Sequence, residues 1–562
     1  MADISIVLCG EAGQGIQTVE SLIAPIMNLS GYHVFSTKEY MSRIRGGCNS
    51  TEIRVSDARV AAYVDRIDLL IPLDRQAIPH LRKRITDRTV IVGEAERIGQ
   101  GGGVIDVPFS KIAEEVGGPI FANIVAVGLI SSLLQVDAGI AEDYVRRFFQ
   151  KKPELVEKNV EALGRGYDAG KKISSNVKFS VAKDHRVSNE LIVSGSDALG
   201  LGAISGGCDF LAAYPMTPST GVFTFMAKHA REFGIVVEQA EDEISAVNMA
   251  LGAWYAGARG FVTTSGGGFA LMVEGLSLAA AIETPLVVLL SQRPGPATGL
   301  PTRTEQGDLE FALHAGHGEF PRIILAPGTV EEAHELAHFA FNMADKHQSP
   351  VILLADQYLV DSYYNIPSLG SYKVERHIAE TGPGYRRYEF APSGISPRGV
   401  PGFGSGLVKV DSDEHDESAR ITEDGDVRKM MVEKRLRKMD GIMKDALLPR
   451  LVGPKRFRHL VVSWGSTYHP VAEAVESLGR DDVSMLHFRQ VYPIHPDSVN
   501  FLAKAERIFV VENNATGQFA NLLRSQTGRG ITGKILKYDG LPFSVEGLAE
   551  EFGKVLKKAG NG

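Results

Sequence analysis

Four short segments, each following an apolar run, carry side chains that could do chemistry. They are residues 214–220, 238–243, 263–269 and 291–296. The apolar runs before them have the length of strands, and the turns that follow parallel strands meet at one edge of a sheet, where such folds bind ligands. The four segments therefore predict a single binding site made of turns.

Glu243 is the strongest candidate for acid–base work. It stands at the start of an apolar-periodic segment that predicts a helix. A carboxyl group at an apolar boundary has a raised proton affinity, as is needed to share a proton with a cofactor nitrogen. The alternative is that the acids of this first turn only interact with the helix dipole. The buried stripe of the helix is expected to be Ile244, Val247, Leu251 and Trp254.

The other three turns offer binding groups of different kinds. Thr217 is expected to cap a helix with Pro218 in its first turn, which leaves backbone amides free for an anion. Ser265 is followed by glycines that let a flat ligand approach the backbone. Arg293 is suited to bidentate binding of a carboxylate. Each motif alone also has an ordinary explanation, as a helix cap, a tight turn or a solvated arginine.

Composition favours small molecules or other proteins as partners. The 562 residues are 44% hydrophobic and 23% charged with net charge −8, so neither nucleic acid nor an anionic membrane is expected as the main partner. No apolar stretch reaches the roughly 18 residues of a membrane span, and the start lacks a basic leader, so we expect a cytoplasmic location. Cys9, Cys48 and Cys208 are scattered, which argues against an iron–sulfur site or disulfide framework in this chain.

Strand-like and helix-like patterns alternate along most of the chain, which predicts an α/β protein with doubly wound sheets. Three such domains are expected, at residues 1–178, 189–375 and 455–562. Between the last two, residues 376–450 are rich in Gly, Pro and charge, and we expect an irregular connecting arm there. No metal site is expected in the chain. The acidic run 411–417 is expected to be a solvated loop, because no ordered ligand spacing accompanies it.

In their order along the chain, the motifs resemble those of a known enzyme family. The resemblance to the pyrimidine-binding domain of 2-oxoacid:ferredoxin oxidoreductases is carried by Tyr-Pro-Met-Thr-Pro-Ser (214–219), Glu-Asp-Glu-Ile-Ser-Ala (241–246), Thr-Ser-Gly-Gly-Gly-Phe (264–269) and Gln-Arg-Pro-Gly-Pro (292–296). The family's transketolase C-terminal-like domain is similar to Gly-Ser-Thr (465–467) and Val-Glu-Asn-Asn-Ala-Thr-Gly-Gln (511–518). Its gamma domain is similar to Gly-Glu-Ala-Gly-Gln-Gly (10–15) and Arg-Ile-Arg-Gly-Gly (43–47).

The resemblance implies thiamine diphosphate as cofactor, with Glu243 bonded to its pyrimidine nitrogen so that the cofactor's own amino group takes the thiazolium proton. Thr217 would contact the 2-oxoacid near its reacting carbon, and Arg293 would bind its C1 carboxylate. Gly267 stands where relatives commonly have proline, which predicts a more mobile turn. The cofactor-binding residues implied in this way are Tyr214, Pro215, Glu243, Ser265, Gly266 and Gly267.

A substrate and a co-substrate are also implied by the resemblance. Residues 299–309 resemble the 2-oxoglutarate branch, in which Arg303 adds a cation for the distal carboxylate; branched-chain 2-oxoacids are the main alternative. Arg43 and Arg45 resemble the segment that meets the phosphates of coenzyme A, and two surface arginines are the ordinary explanation. The expected reaction is oxidative decarboxylation of 2-oxoglutarate with coenzyme A to succinyl-CoA and CO2, with ferredoxin reduced.

A partner subunit is expected because two parts of such an enzyme are missing from the sequence. Magnesium and diphosphate are normally held at a Gly-Asp-Gly segment, to which residues 307–309 and 425–427 come nearest. Each iron–sulfur cluster needs about four cysteine ligands, more than the chain contains. The resemblance implies a beta subunit with the Mg2+ and 4Fe–4S sites, in an α2β2 heterotetramer. A non-catalytic ligand-binding or regulatory α/β protein is the alternative of another class.

Overall fold

The computed structural model describes residues 2–11, 16–40, 47–99, 103–175, 177 and 179–557. The strands are β1 (Asp3–Glu11), β2 (His33–Glu39), β3 (Cys48–Ser56), β4 (Leu69–Pro72), β5 (Val90–Gly93), β6 (Val104–Asp106), β7 (Leu191–Ser194), β8 (Phe210–Ala213), β9 (Val236–Gln239), β10 (Gly260–Thr264), β11 (Leu286–Gln292), β12 (Ile323–Leu325), β13 (Pro350–Asp356), β14 (Tyr363–Ile366), β15 (Arg450–Val452), β16 (His459–Trp464), β17 (Val483–Phe488), β18 (Gln490–Tyr492), β19 (Arg507–Glu512) and β20 (Gly533–Leu536).

The helices alternate with the strands along most of the chain, as the sequence pattern predicts. They are α1 (Ile16–Leu29), α2 (Ala77–Leu81), α3 (Ala95–Ile98), α4 (Phe109–Val116), α5 (Ala122–Leu133), α6 (Ala138–Phe149), α7 (Pro153–Ile173), α8 (Gly195–Ser205), α9 (Thr220–Phe233), α10 (Glu243–Tyr255), α11 (Gly266–Phe269), α12 (Val273–Ala281), α13 (Leu309–His314), α14 (Val330–His347), α15 (Gln357–Asp361), α16 (Gly425–Lys444), α17 (Tyr468–Ser477), α18 (Ser498–Lys504), α19 (Gln518–Thr527) and α20 (Val545–Lys557).

Two compact units divide the chain. The first unit consists of Met1–Ser194, Asp361–Ser368 and Ser544–Gly547. The second consists of Gly195–Val360, Leu369–Phe543 and Leu548–Gly562. Among the described residues, no single helix is long and apolar enough to cross a membrane, and one bent pair, Phe109–Val116 with Pro119–Leu133, passes that test by length and composition.

The first unit is built on a sheet in the order β6-β5-β4-β1-β3-β2-β14-β7. Strands β1, β4, β5 and β6 pair in parallel, whereas β3 pairs antiparallel with both β1 and β2. Helices α1 and α5 supply much of the apolar core on this sheet. Strands β7 and β14 complete it, although their residues fall within the range 189–375 predicted for the second domain.

The second unit contains two sheets. One has the order β18-β12-β13-β11-β10-β8-β9 and is parallel except for β18; the other has the order β15-β17-β16-β19-β20 and is parallel except for β15. A continuous apolar core joins them, with Leu290 and Ile352 from the first sheet and Val462 and Val510 from the second. The predicted multi-domain α/β fold is confirmed, and the sheets of residues 210–356 and 450–536 share one compact unit.

The arm, residues 376–450, is fixed to the second unit by buried charges. The fully buried carboxylate of Glu283 accepts a hydrogen bond from Lys434 of α16 at 2.6 Å and forms an ion pair with Lys438 of the same helix at 2.7 Å. Burial alone would raise the pKa of Glu283, but the two ammonium groups outweigh it and hold that pKa well below its usual range. Helix α16 is therefore docked by an ion cluster that requires all of its members.

The acidic run 411–417 is not the freely solvated loop that its composition predicted. Glu414 pairs with Arg428 and, at 2.8 Å, with Arg435, while Glu417 pairs with Arg386 at 2.7 Å. The prediction was wrong because the basic side chains that face the acids come from other parts of the arm. Acidic and basic stretches that look like separate solvated runs in sequence neutralise each other in the fold.

Candidate functional site

Four neighbouring parallel strands bring the predicted turns together. In the order β11-β10-β8-β9 they pair in parallel, so their carboxyl ends meet at one edge of the sheet. Tyr214 and Thr217 follow β8, Glu243 follows β9, Ser265 follows β10 and Arg293 follows β11. The candidate residues from four separate segments therefore share the edge at which doubly wound sheets bind ligands.

Helix α10 places Glu243 on its buried face. Asp242 is the N-cap, and its carboxylate accepts from the backbone amide of Ser245 at 2.7 Å. Glu243 is 4% exposed, whereas Ile244 is 50% exposed, so the predicted buried stripe was wrong at Ile244. Because the helix begins at Glu243, that residue occupies the inner face one position earlier than the pattern suggested. The buried residues of α10 are Glu243, Ala246, Val247, Ala250, Leu251 and Trp254.

The carboxyl group of Glu243 is poised to hold a proton. Burial raises its pKa, and the neighbouring charge of Asp242 adds to that effect, while its own backbone amide opposes it. Its Oε1 atom is buried and has no hydrogen-bond partner among the described residues. A buried carboxylate oxygen without a partner is costly, so Oε1 is suited to accept from a donor that the described residues do not supply.

The glycine turn after β10 lies against this carboxylate. Ser265 is the N-cap of α11, and a Cβ atom at Gly268 would overlap both the Glu243 carboxylate and the hydroxyl of Thr264. Gly267 is exposed, and a Cβ atom there would meet only the Met216 methyl group, at 3.7 Å. The turn therefore needs glycine at 268, where the backbone lies directly against the Glu243 carboxylate, and it is exposed at Gly267.

Thr217 does not cap the next helix as predicted. Helix α9 begins at Thr220, and the N-cap is Ser219, whose hydroxyl donates to the Met216 carbonyl at 2.7 Å. Residues 217–219 form a turn before the helix, so the cap falls two positions later than the sequence suggested. Arg293 reaches this turn and donates from Nη1 to the Thr217 carbonyl at 2.8 Å. The structure thus brings Thr217 and Arg293 into direct contact.

Asp308 is a site residue that the sequence reasoning missed. Its backbone amide donates to Gln292 Oε1 at 3.0 Å, and its carboxylate oxygens lie 2.8 and 2.9 Å from the position of a Cβ atom at Gly266. The Oδ2 atom is buried without a partner among the described residues. Burial raises the pKa of Asp308 to about 6, although the charge of Arg293 opposes that rise. The sequence analysis singled out segment 299–309 for Arg303 and for an incomplete Gly-Asp-Gly match at 307–309, and gave Asp308 no role in this site.

Hydrogen bonds from the sheet β15-β17-β16-β19-β20, called the last sheet below, form a clamp on the segment that carries Asp308. The amide of Gln306 donates to the Asn513 carbonyl at 2.7 Å, and the Asn513 amide donates to Gln306 Oε1 at 2.9 Å. The side chain of Gln518 donates to the Gly307 carbonyl at 2.8 Å. The motif at 511–518 therefore positions residues 306–308 through the backbone of Asn513 and the side-chain amide of Gln518.

The remaining predicted residues are Arg303, Tyr214 and Pro215, which the structure describes, and Arg43 and Arg45, which lie outside the described ranges. Arg303 is on the same segment as Asp308, and its Cβ and Cγ atoms pack beside Gly540. Arg43 and Arg45 fall within residues 41–46, which are not described. Tyr214 is 42% exposed at the end of β8, and Pro215 is half-buried. Within the described ranges, no group of three or more His, Cys, Asp or Glu side chains could hold a metal ion.

A buried glutamate with a raised pKa lies beside a glycine turn at the carboxyl edge of a parallel sheet, the edge at which doubly wound folds bind ligands. Two family models match the chain. The one described as pyruvate flavodoxin/ferredoxin oxidoreductase, thiamine diphosphate-binding, covers residues 201–434, and the one described as pyruvate ferredoxin/flavodoxin oxidoreductase covers residues 5–169. The first range contains the candidate site, and the second lies within the first unit.

Relatives extend over the whole chain. A 2-oxoacid:ferredoxin oxidoreductase alpha subunit from a Sulfolobus species is 32% identical over 99% of this chain and 97% of its own length. The 2-oxoglutarate oxidoreductase subunit KorA of Mycobacterium tuberculosis is 28% identical over 100% and 92%, respectively. The chain belongs to the 2-oxoacid:ferredoxin oxidoreductase family.

A solved structure shares the fold as well as the sequence. The 2-oxoglutarate:ferredoxin oxidoreductase from Magnetococcus marinus, with 2-oxoglutarate, coenzyme A and succinyl-CoA bound, superposes with a TM-score of 0.92 at 30% identity. The similarity covers 99% of each chain. It therefore extends to both compact units and includes the edge of the sheet that carries Glu243.

Proposed function

We propose that this chain is the subunit of a 2-oxoglutarate:ferredoxin oxidoreductase that binds the pyrimidine ring of thiamine diphosphate. The enzyme converts 2-oxoglutarate and coenzyme A to succinyl-CoA and CO2 and reduces ferredoxin. The observation that carries the proposal is the buried Oε1 of Glu243, which has no partner among the described residues and lies against the bare Gly268 backbone. The neighbour with 2-oxoglutarate, coenzyme A and succinyl-CoA bound supports this choice of substrate.

The residues present fit the cofactor's pyrimidine ring. Glu243, with its raised pKa, can hold a proton between Oε1 and a ring nitrogen, and the exposed Gly267 leaves the adjoining turn without a side chain on its open side. Tyr214, Pro215 and Ser265 follow the adjacent strands and would line the same edge. When bound, thiamine diphosphate supplies an electron sink for loss of CO2 from the 2-oxoacid.

Arg293 and Thr217 are proposed to receive the 2-oxoacid. Arg293 donates one hydrogen bond to the Thr217 carbonyl, which holds the guanidinium in position. Its other donors are left for the C1 carboxylate of the 2-oxoacid. Burial lowers the pKa of Arg293, with Asp308 opposing, so an anionic substrate would restore favourable surroundings for its charge. The Thr217 hydroxyl lies on the same turn and would face the reacting carbon.

A beta subunit is proposed to complete the site and to supply the diphosphate, Mg2+ and 4Fe–4S sites. Relatives are named alpha subunits, which supports a partner. The elements that carry Glu243 and its neighbours expose large apolar side chains, as surfaces for other proteins do. Those side chains are Tyr214, Val236, Ile244, Met249 and Leu271. An α2β2 assembly is the simplest closed arrangement, and ferredoxin would take the electrons.

The test is an assay of the co-expressed complex with a panel of 2-oxoacids. Ferredoxin reduction is measured with coenzyme A and 2-oxoglutarate, pyruvate or a branched-chain 2-oxoacid. The largest kcat/KM is expected with 2-oxoglutarate. Preference for a branched-chain acid would favour the other enzymatic assignment, and absence of turnover with every 2-oxoacid would favour a non-catalytic binding protein.

Arg43 and Arg45 are proposed to bind the phosphates of coenzyme A.

Arg303→Ala is expected to weaken 2-oxoglutarate far more than a monocarboxylate 2-oxoacid, because only the dicarboxylate leaves its distal group unpaired. The expected loss in kcat/KM for 2-oxoglutarate is about tenfold to a hundredfold. Arg293→Ala is the matched comparison and should impair both substrates. Equal losses for the two substrates in Arg303→Ala would show that Arg303 has a structural role beside Gly540.

Asp308 is expected to make 2-oxoacid binding depend on pH. Above its pKa of about 6 the carboxylate opposes the charge of Arg293, so KM should rise by about fivefold between pH 5.5 and 7.5. Asp308→Asn should flatten that rise and leave kcat within a few-fold. Glu305, which also faces Asp308, has a raised pKa, so Glu305→Gln is measured in parallel. An unchanged pH profile in Asp308→Asn would remove Asp308 from the site.

A further inference from the structure

Two cysteines lie in contact inside the first unit. Cys9 is near the end of β1, and Cys48 is the first residue of β3; these antiparallel strands pair Cys9 with Ser50 and Glu11 with Cys48. Cys9 and Cys48 are therefore diagonal neighbours on one face of the sheet. Their sulfur atoms are 3.0 Å apart, and both side chains are buried among Val7, Leu70 and other apolar residues.

The surroundings make the two thiols unequal. The hydrogen bond shared with Cys9 and the charge of His80 lower the pKa of Cys48 despite its burial, while Asp74 and Glu39 oppose them. The same hydrogen bond, together with burial, holds the pKa of Cys9 well above its usual range. Cys48 is thus the better nucleophile and Cys9 a neighbouring thiol, the arrangement of a redox-sensitive pair.

We propose that Cys9 and Cys48 form an oxidisable dithiol that a hydroperoxide converts reversibly to an intrachain disulfide. The Cys48 thiolate attacks one peroxide oxygen, so that an S–O bond forms, the O–O bond breaks and the other oxygen leaves as water or alcohol after protonation. The sulfur of Cys9 then attacks the Cys48 sulfenic sulfur, and a second water leaves. Two electrons pass from the two thiols to the peroxide, and a dithiol reductant returns them.

The position of the pair on the sheet affects how stable the proposed disulfide would be. Diagonal neighbours on antiparallel strands have Cα atoms about 7–8 Å apart, beyond the range of most disulfides. The strand ends must therefore move as the bond forms, which makes the disulfide easier to reduce. Burial restricts access to small oxidants such as hydrogen peroxide. The proposal is independent of the reaction proposed above.

The experiment counts free thiols in the assembled enzyme. Reduced and peroxide-treated samples are quenched in acid, unfolded, labelled with a maleimide and weighed intact. Three labels per chain are expected before oxidation and one after it, with full recovery in dithiothreitol. Cys208 is the internal control, because burial raises its pKa and it lies in the second unit. A digest of the wild-type protein should contain one peptide pair joined through Cys9 and Cys48.

Matched variants separate this pair from other oxidation. Cys208→Ser should still lose two labels on oxidation, whereas in Cys9→Ser the same treatment should give oxygen-bearing forms of Cys48 and no linked peptide. Retention of all three labels by oxidised wild-type protein would overturn the proposal. A linked peptide that contains Cys208, or one that joins two chains, would also overturn it. The wild-type digest decides the question even if a variant folds poorly.

Discussion

In the assembled complex, Glu243→Gln is expected to lower kcat with 2-oxoglutarate by about a hundredfold or more. The amide has nearly the same shape as the carboxyl group, so it keeps the contact with the Gly268 turn. It cannot hold and return a proton at Oε1, which is the property that burial gives to Glu243. The measurement is steady-state ferredoxin reduction with saturating cofactor and coenzyme A.

Glu241→Gln is the matched control for that variant. Glu241 lies in the same turn and is exposed, so its change to glutamine alters the charge near α10 without touching the buried carboxyl group. Its kcat should stay within about twofold of wild type, as is usual for exposed positions. Near-normal turnover in Glu243→Gln, or an equal loss in Glu241→Gln, would contradict the role assigned to Glu243.

The local part of the site was predictable from the sequence. Short apolar runs followed by turn residues located β8, β10 and β11 closely, and parallel strands place their ends at one edge whatever the details of packing. The error at Ile244 shows the limit of periodicity. The pattern predicted the helix. Because a charged residue is not expected on a buried face, the predicted buried stripe contained Ile244 in place of Glu243.

The long-range part of the site could not be predicted. Gln306 and Asn513 are 207 positions apart in sequence, and nothing local indicates that their amides pair. The position of Asp308 depends on that pairing, because the hydrogen bonds of the clamp fix the orientation of residues 306–308. In sequence, Asp308 appeared only as an incomplete match to a magnesium motif. Buried polar contacts between distant segments depend on tertiary packing, which composition and spacing do not encode.

The last sheet thus contributes to the site through positioning. Its motif at 511–518 holds the segment with Asp308, and Gln306 also donates to the Trp464 carbonyl at 2.9 Å. The sheet that carries Glu243 is linked to the same network, because the Ser466 hydroxyl donates to Asp356 at the end of β13. We infer that the two sheets of the second unit act as one rigid support for the turn residues.

The isolated chain is expected to be colourless, to bind thiamine diphosphate weakly and to reduce no ferredoxin. The nearest approaches to a Gly-Asp-Gly segment serve other purposes in the fold. Asp308 faces the Gly266 turn, and Asp426 is in the first turn of α16, next to the N-cap Asp424. An Mg2+ diphosphate needs oxygen ligands that these positions do not offer together.

We expect no iron–sulfur electron transfer in the isolated chain for a similar reason. The chain has three cysteines, all buried, and an iron–sulfur cluster needs about four thiolate ligands. The measurements are the visible absorption spectrum, thiamine diphosphate binding by calorimetry and 2-oxoacid-dependent ferredoxin reduction, each with and without the co-expressed beta subunit. All three properties should be present only in the complex. Iron–sulfur absorption or 2-oxoacid-dependent electron transfer by the chain alone would contradict this division between the subunits.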